Sequence, residues 1–372
     1  MRKQLPFAAV LTTAAALIIA APATHASEGE APAVPIVLAG GLVSPLHIGS
    51  GPDGSVLVSE QFAGRLTQIA GNGERSVVYE DPKWSVGGSD RRGGTIYVAE
   101  SQGAGGFDGM PLAGHIRSIA ADGTHRTFGD LAALEISENA DGGTSYGFEN
   151  LPAECAALLP PEVRVEYKGT VDSHPYGMDT DVHGSTIYIA DAGANSVVAV
   201  NVNTGETETV AVLPPRPFLV TAEAAESQGL PACTVGHTYG FEPVPTDVEL
   251  GQDGWLYVTS LPGGPEDPAL GARGAVFRVN PDDGEVKVFA DEIMSPTGID
   301  MDDAGNVYVA SLFGEGVLKF SAHSGKQSLV LSAMLTADVN VSGDKIYATV
   351  NTLSEPSAPP AGQVVYQPLK DH

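Results

Sequence analysis

The side chains best suited to chemistry in this chain are carboxylates and histidines that recur at two matching points of a repeated pattern. Asp247 and Asp338 share the first point with His47. Two residues further on in each copy stand Asp179, Glu249, Asp300 and Asn340, with Gly49 in the first copy. If these segments are strands, alternation puts both sets on one side of the chain. Oxygen donors converging in a channel suit Ca2+, which makes Asp179, Glu249 and Asp300 the calcium candidates. The plainer role for such residues is to hydrogen-bond the tight turns beside them. His47, His174 and His237 add imidazoles with acid–base capacity. Tyr176 and Trp84 offer ring faces for packing or for an aromatic or sugar ligand. The sequence contains no nucleophile elbow, phosphate loop, zinc-binding histidine pair or Cys-x-x-Cys stretch.

These residues need a scaffold, and the repeat supplies one. Residues 294–321 read as three short strands. A turn at 302–306 leads into Val307-Tyr-Val-Ala310, and a glycine-rich loop leads into Val317-Leu-Lys-Phe-Ser321. The middle strand recurs around Leu57, Tyr97, Tyr188, Tyr257, Tyr308 and Tyr347. Its β-branched and aromatic residues favour a pleated surface buried on both faces. A basic spacing near 40 residues is the mark of propeller blades. Six copies predict an all-β, six-bladed β-propeller, one domain over residues 27–372. The two long intervals hold insertions at about 131–173 and 213–243, with helices expected at 131–138, 155–159 and 221–228. Both insertions carry the tetrapeptide Tyr-Gly-Phe-Glu, at Tyr146–Glu149 and Tyr239–Glu242, read as equivalent docking of two helical insertions on one face. In the second blade, Ser89-Asp-Arg-Arg-Gly93 reads as a replaced turn, and Ser85 as the match of His47. The last copy lacks an outermost strand. The β-branched residues 34–39 are expected to supply it and close the ring, and Pro35 is tolerated on such an edge.

In a propeller blade the strands run alternately up and down from the channel outward. The turns between first and second strands therefore share one face. The loops between second and third strands, and the blade-to-blade connections, share the other. All the long loops and both insertions fall on that second face, where function is expected on a rigid scaffold. The expected binding residues are His47, Tyr176, Asp247 and Asp338 at the channel mouth, with His237 and Glu242 from the lid.

Residues 1–26 read as a secretory signal, with Arg2 and Lys3 before an apolar stretch at 7–21 that is too short to anchor in a membrane. Its removal takes two positive charges, moving the formal charge from -27 to -29. Such a surface repels nucleic acid and anionic membranes, so neither is an expected partner, and no membrane insertion is expected. Cys155 and Cys233 are the only cysteines. They lie one in each insertion of an exported chain, which predicts a disulfide.

With repeats and insertions placed, the chain resembles the ScyD/ScyE family of secreted bacterial propeller proteins. The resemblance is carried by Phe241-Glu-Pro-Val-Pro-Thr-Asp-Val-Glu-Leu-Gly-Gln-Asp-Gly-Trp-Leu-Tyr-Val-Thr-Ser-Leu-Pro-Gly-Gly-Pro-Glu-Asp267, by Leu151-Pro-Ala-Glu-Cys155 and by Gly229-Leu-Pro-Ala-Cys233. It implies the propeller fold and export, and no catalytic residues carry over. Propeller lactonases of the regucalcin type hold a divalent cation with Glu, Asn and Asp; the first-point residues His47, Ser85, Gly177, Asp247, Gly298 and Asp338 do not reproduce that set. The expected function is a secreted, monomeric, non-catalytic binding protein for a small molecule or an extracellular protein. The alternative is a metal-assisted hydrolase or lactonase-like enzyme at the channel mouth.

Overall fold

The computed structural model describes residues 34–106, 109–353 and 358–369; the signal reading lies outside them. Seven four-stranded antiparallel sheets account for nearly all the regular structure. Six follow the repeat. The fifth runs Pro296–Met301, Val307–Ser311, Gly316–Phe320 and Gln327–Ser332, within a residue of the sequence reading. The inner strands of the six sheets are Pro45–Ser50, Ser85–Arg92, Pro175–Thr180, Pro245–Leu250, Pro296–Met301 and Asp338–Ser342. Each packs beside the next, and the last packs beside the first. Hydrophobic clusters fill the wedges between adjacent sheets, for example Tyr257, Val276, Ile299 and Val309 between the fourth and fifth. The repeat tyrosines are part of this filling: Tyr308 is fully buried and Tyr97, Tyr257 and Tyr347 nearly so.

The N-terminal strand Ile36–Leu42 pairs antiparallel with Gly362–Pro368, in the same sheet as Asp338–Ser342 and Lys345–Val350. Its core is shared: Ala39 and Leu42 cluster with Tyr347 and Val364 of that sheet and with Ile48, Val56 and Ile69 of the first. The first sheet also reaches back to it, Arg75 donating to the Gly40 carbonyl at 2.9 Å.

Two expectations need correction. The second inner strand is regular to Arg92, and its turn is Gly93-Gly94. An irregularity between Val86 and Ser89 shifts its register, so Ser85 stands opposite Ser101 and Asp90 opposite Tyr97. The residues read as a replaced turn are therefore strand, and Asp90 belongs to the inner wall. The insertions are also less helical than expected. Helices do form at Leu131–Glu138, Ala153–Ala156 and Ala222–Ser227, the last capped by Thr221 accepting from Ala224 N–H at 3.0 Å. The body of both insertions is nevertheless the seventh sheet, in the order Glu166–Lys168, Ser145–Phe148, Thr238–Phe241, Arg216–Leu219. The two Tyr-Gly-Phe stretches pair with each other, Gly147 opposite Gly240 and Phe148 opposite Tyr239. Aromatic residues favour a pleated surface, and the cross-strand contact of Phe148 with Tyr239, edge to face at 4.9 Å, is the pair such a surface stabilises. Cys155 and Cys233 form a disulfide that staples the two insertions, with a Cα–Cα distance of 5.8 Å. Closing that 78-residue separation stabilises the chain by roughly 4 kcal/mol on the loop-entropy account.

Candidate functional site

The inner strands enclose a cavity of about 140 Å³. Its wall is set by register. In every sheet one inner-strand residue stands opposite the repeat aromatic position: Gly49 opposite Leu57, Asp90 opposite Tyr97, Asp179 opposite Tyr188, Glu249 opposite Tyr257, Asp300 opposite Tyr308 and Asn340 opposite Tyr347. Two positions earlier comes a second ring, which includes His47, Gly88, Asp247 and Asp338; all of these line the same cavity. Asp90 was missed from the sequence because its strand was read as a turn. Counting back seven to nine residues from each repeat tyrosine finds it.

Five of these carboxylates share one task. Each accepts the N–H of its own following residue and an N–H of the neighbouring sheet's inner strand. Asp90 takes Arg91 (2.6 Å) and Thr180 (3.1 Å). Asp179 takes Thr180 (2.7 Å) and Leu250 (2.9 Å). Asp247 takes Val248 (2.9 Å) and Ile299 (3.0 Å). Asp300 takes Met301 (2.6 Å) and Val341 (2.6 Å). Asp338 takes Val339 (2.7 Å) and Ile48 (2.8 Å). Every junction but that between the first and second sheets thus carries a carboxylate latch; at that junction the Ser59 hydroxyl donates to the Gly87 carbonyl. The latches have a steric counterpart. A Cβ on Gly177 would lie 2.1 Å from Asp247 Oδ1, and one on Gly298 would lie 2.0 Å from Asp338 Oδ1.

Asp179 also bonds Arg92 at 3.0 Å, and Asp300 also bonds the Asn340 amide at 3.1 Å. The calcium candidates Asp179, Glu249 and Asp300 are therefore not a set of free ligands. Among the described residues no group of three His, Cys, Asp or Glu side chains is arranged to hold an ion. Glu249 differs from the rest. One methylene longer than aspartate, it reaches into the cavity and, among the described residues, makes no hydrogen bond.

Crowding carboxyl groups into a half-closed space disfavours their charge. Burial first, and then the neighbouring carboxylates, push Asp179 and Asp300 up to about 7 and Asp247 up to about 8. The same causes raise Glu249 and Asp338 well above the carboxylate range. Burial drives His47 down to about 3 and His174 down to about 4, the two histidines also repelling in the case of His47. Both imidazoles are neutral at neutral pH. The consequence for stability has a definite sign. Above about pH 7.5 the histidines are neutral whether the chain is folded or unfolded. Between there and pH 8 the unfolded carboxyls, at about 4, are fully ionised while the folded ones still hold protons. The folded state then binds more protons, so stability falls as pH rises. The melting temperature is expected to drop by several degrees between pH 7.5 and 8.5 in scanning calorimetry. Asp247→Asn should flatten the slope, and a melting temperature constant or rising over this range contradicts the account.

The six expected mouth and lid residues separate into two groups. His47, Tyr176, Asp247 and Asp338 come together: the His47 and Tyr176 rings meet edge to face at 4.4 Å, and His47 Nδ1 is 3.7 Å from Asp338. His174 packs against Tyr176 from the other side at 5.5 Å, with the Gln61 amide 3.4 Å from its ring. His237 and Glu242 belong elsewhere. His237 bonds through its backbone with Val220 and Thr234. Glu242 faces Asn195 (3.4 Å) and Arg164 (4.0 Å) beside the seventh sheet.

The opening of the cavity also differs from expectation. The rings of His47, His174 and Tyr176 stand at the starts of the inner strands, the insertion-bearing end. The less buried lining residues, Ser50, Arg92, Glu249 and Asn340, are at the strand ends. The cavity therefore opens among the short turns of the opposite face. Chain alternation located the wall, but which end is stoppered depends on three rings from two sheets.

No family model matches this chain, and no curated protein matches its sequence. Solved structures do. An oxidoreductase described as a glucose dehydrogenase, from Thermus thermophilus, overlays with a TM-score of 0.53 at 14% identity, covering 89% of this chain and 98% of its own. A Bacteroides thetaiotaomicron protein of unknown function gives 0.52 at 12%, covering 86% and 69%. Virginiamycin B lyase from Staphylococcus aureus gives 0.47 at 14%, covering 89% and 86%. At these identities the likeness concerns the β-propeller fold and nothing finer.

Proposed function

We propose that this chain is a six-bladed propeller closed by its N-terminal strand, acting outside the cell as a non-catalytic binding protein for another protein. The insertion-bearing face is the binding face. One observation carries the reading: most of the exposed large apolar side chains outside the outer strands belong to the loops and insertions of that face. They include Phe62 and Phe313 in second-to-third-strand loops, Met334 in a sheet-to-sheet connection, and Leu158 and Leu219 in the insertions. Phe62 is 69% exposed and Met334 74%. Exposed aromatic and aliphatic residues gathered on one side are the raw material of a protein interface. The face is also built to be rigid, with the seventh sheet, the disulfide and a core around Phe148 and Val220. The likeness to the secreted ScyD/ScyE proteins and the disulfide support an extracellular setting. Membership of that family is part of the same proposal.

The enzyme reading is less well supported. A metal-assisted lactonase needs convergent free ligands, and the channel aspartates spend their oxygens on backbone N–H groups.

The test is chemical cross-linking with mass spectrometry on the protein secreted by its own host. Wild type is compared with a Phe62→Ser, Phe313→Ser, Met334→Ser triple variant and with Val182→Ser on the opposite face. Cross-links to a defined partner that map to the insertion-bearing face and fall at least tenfold in the triple variant alone are expected. Cross-links spread evenly over both faces, or unchanged in the triple variant, would overturn the reading, as would turnover of a lactone panel.

A further inference from the structure

We propose that the central cavity is a separate binding site for a small organic cation of the short primary alkylammonium class, held by Glu249. The cavity wall carries Asp90, Asp179, Asp247, Glu249, Asp300 and Asp338 against a single guanidinium, Arg92. That guanidinium is already engaged by Asp179 and by the Thr180 carbonyl at 2.8 Å. The five aspartates are committed to the latches. Glu249 alone keeps both oxygens unbonded among the described residues, so the wall offers one free carboxylate rather than a cage. Burial and the neighbouring carboxyls favour the protonated acid at Glu249, and a bound ammonium, whose three N–H donors need acceptors, favours the carboxylate by displacing that proton to solvent. A divalent metal would need several more ligands.

A second, independent observation points the same way. His47 is only 2% exposed and lines this cavity, yet its Nε2 has no partner. A buried imidazole nitrogen without a partner is destabilising, and a ligand N–H would satisfy it. The sheets of His47 and Glu249, the first and the fourth, are three steps apart in the cyclic order of inner strands. The two groups therefore face the cavity from opposite walls.

Size limits the ligand. A cavity of about 150 Å³ holds benzene in another protein. The present 140 Å³ admits about six non-hydrogen atoms, the scale of butylammonium or 1,4-diaminobutane. The wall is mostly polar despite Ile48, Val248 and Ile299 in its lining, which disfavours an apolar guest of the same size.

Isothermal titration calorimetry at pH 8.5, where the amines are still ammonium ions, tests the site directly with butylamine and 1,4-diaminobutane, against 1-butanol and Ca2+ as probes of equal size and of charge alone. The expected result is saturable 1:1 binding of an amine, no binding of 1-butanol, and at least a tenfold loss of affinity in Glu249→Gln. Glu249 makes no hydrogen bond, so this variant should fold, and its melting temperature is measured alongside. Should it melt early, Glu249→Asp is the second variant: it keeps the charge but withdraws it by one methylene, and the expected loss is several-fold. Equal binding of 1-butanol, Ca2+ binding without amine binding, no amine binding to wild type, or full affinity in a folded Glu249→Gln would each overturn the proposal. None of these outcomes bears on the insertion-bearing face.

Discussion

A chain lacking residues 34–42 is expected to melt about 10 °C below the full chain and over a broader range. The missing strand completes the sixth sheet, yet the core it covers is shared between that sheet and the first. Removing it deletes Ala39 and Leu42 and uncovers Val364, Ile69 and part of Tyr347. At about 1.5–3 kcal/mol for each fully buried aliphatic or aromatic side chain, the loss is roughly 5–8 kcal/mol. For a chain of this length the size scaling gives about 1.5 °C per kcal/mol. Deletion also leaves Gly362–Pro368 as a bare edge, which invites aggregation. Val43 has to stay, because its N–H donates to the buried Glu60 carboxylate at 2.8 Å. Differential scanning calorimetry of the two chains decides the matter. Superimposable transitions would mean that the strand decorates the ring instead of tying its ends.

Gly298→Ala and Gly177→Ala are each expected to destabilise by roughly 3 kcal/mol or more, the upper range for overpacking a tight interior. The added methyl carbon would meet Asp338 Oδ1 at 2.0 Å in one case and Asp247 Oδ1 at 2.1 Å in the other. It would also lie 2.6 Å from the backbone Cα of the same aspartate, so no rotamer change relieves the clash. The inner strands would have to part, and both N–H groups of the latch would lose their acceptor. Gly254→Ala, on an exposed turn with nothing within 4 Å of the new carbon but with φ at +80°, should cost only the smaller penalty of left-handed backbone. Urea denaturation of the three variants separates the cases. Equal midpoints would show that the latch geometry is not limiting. By the same reasoning Asp338→Ala acts on the joint between the sixth and first sheets. It should lower stability.

The sequence by itself determined the repeat. Six Val-Tyr-Val-like strands, on a basic spacing near 40 residues broken by two long intervals, call for repeated sheets that bury two apolar faces, and strand alternation then dictates which carboxylates point inward. The same logic placed the insertions at the long intervals. Two cysteines, one in each insertion, left a single pairing to form.

Tertiary structure alone decided what those features do. A single register irregularity between Val86 and Ser89 turned a supposed turn into strand and brought Asp90 into the wall, because one bulge shifts every later side chain. The pairing of the two Tyr-Gly-Phe stretches joins residues some ninety apart in sequence, a distance over which local patterning carries no information. The latch role of Asp90, Asp179, Asp247, Asp300 and Asp338 depends on the backbone N–H of a neighbouring sheet, which no strand specifies on its own. Glu249 escapes that role through one extra methylene, and its freedom became visible only once the five aspartates around it were seen to be occupied.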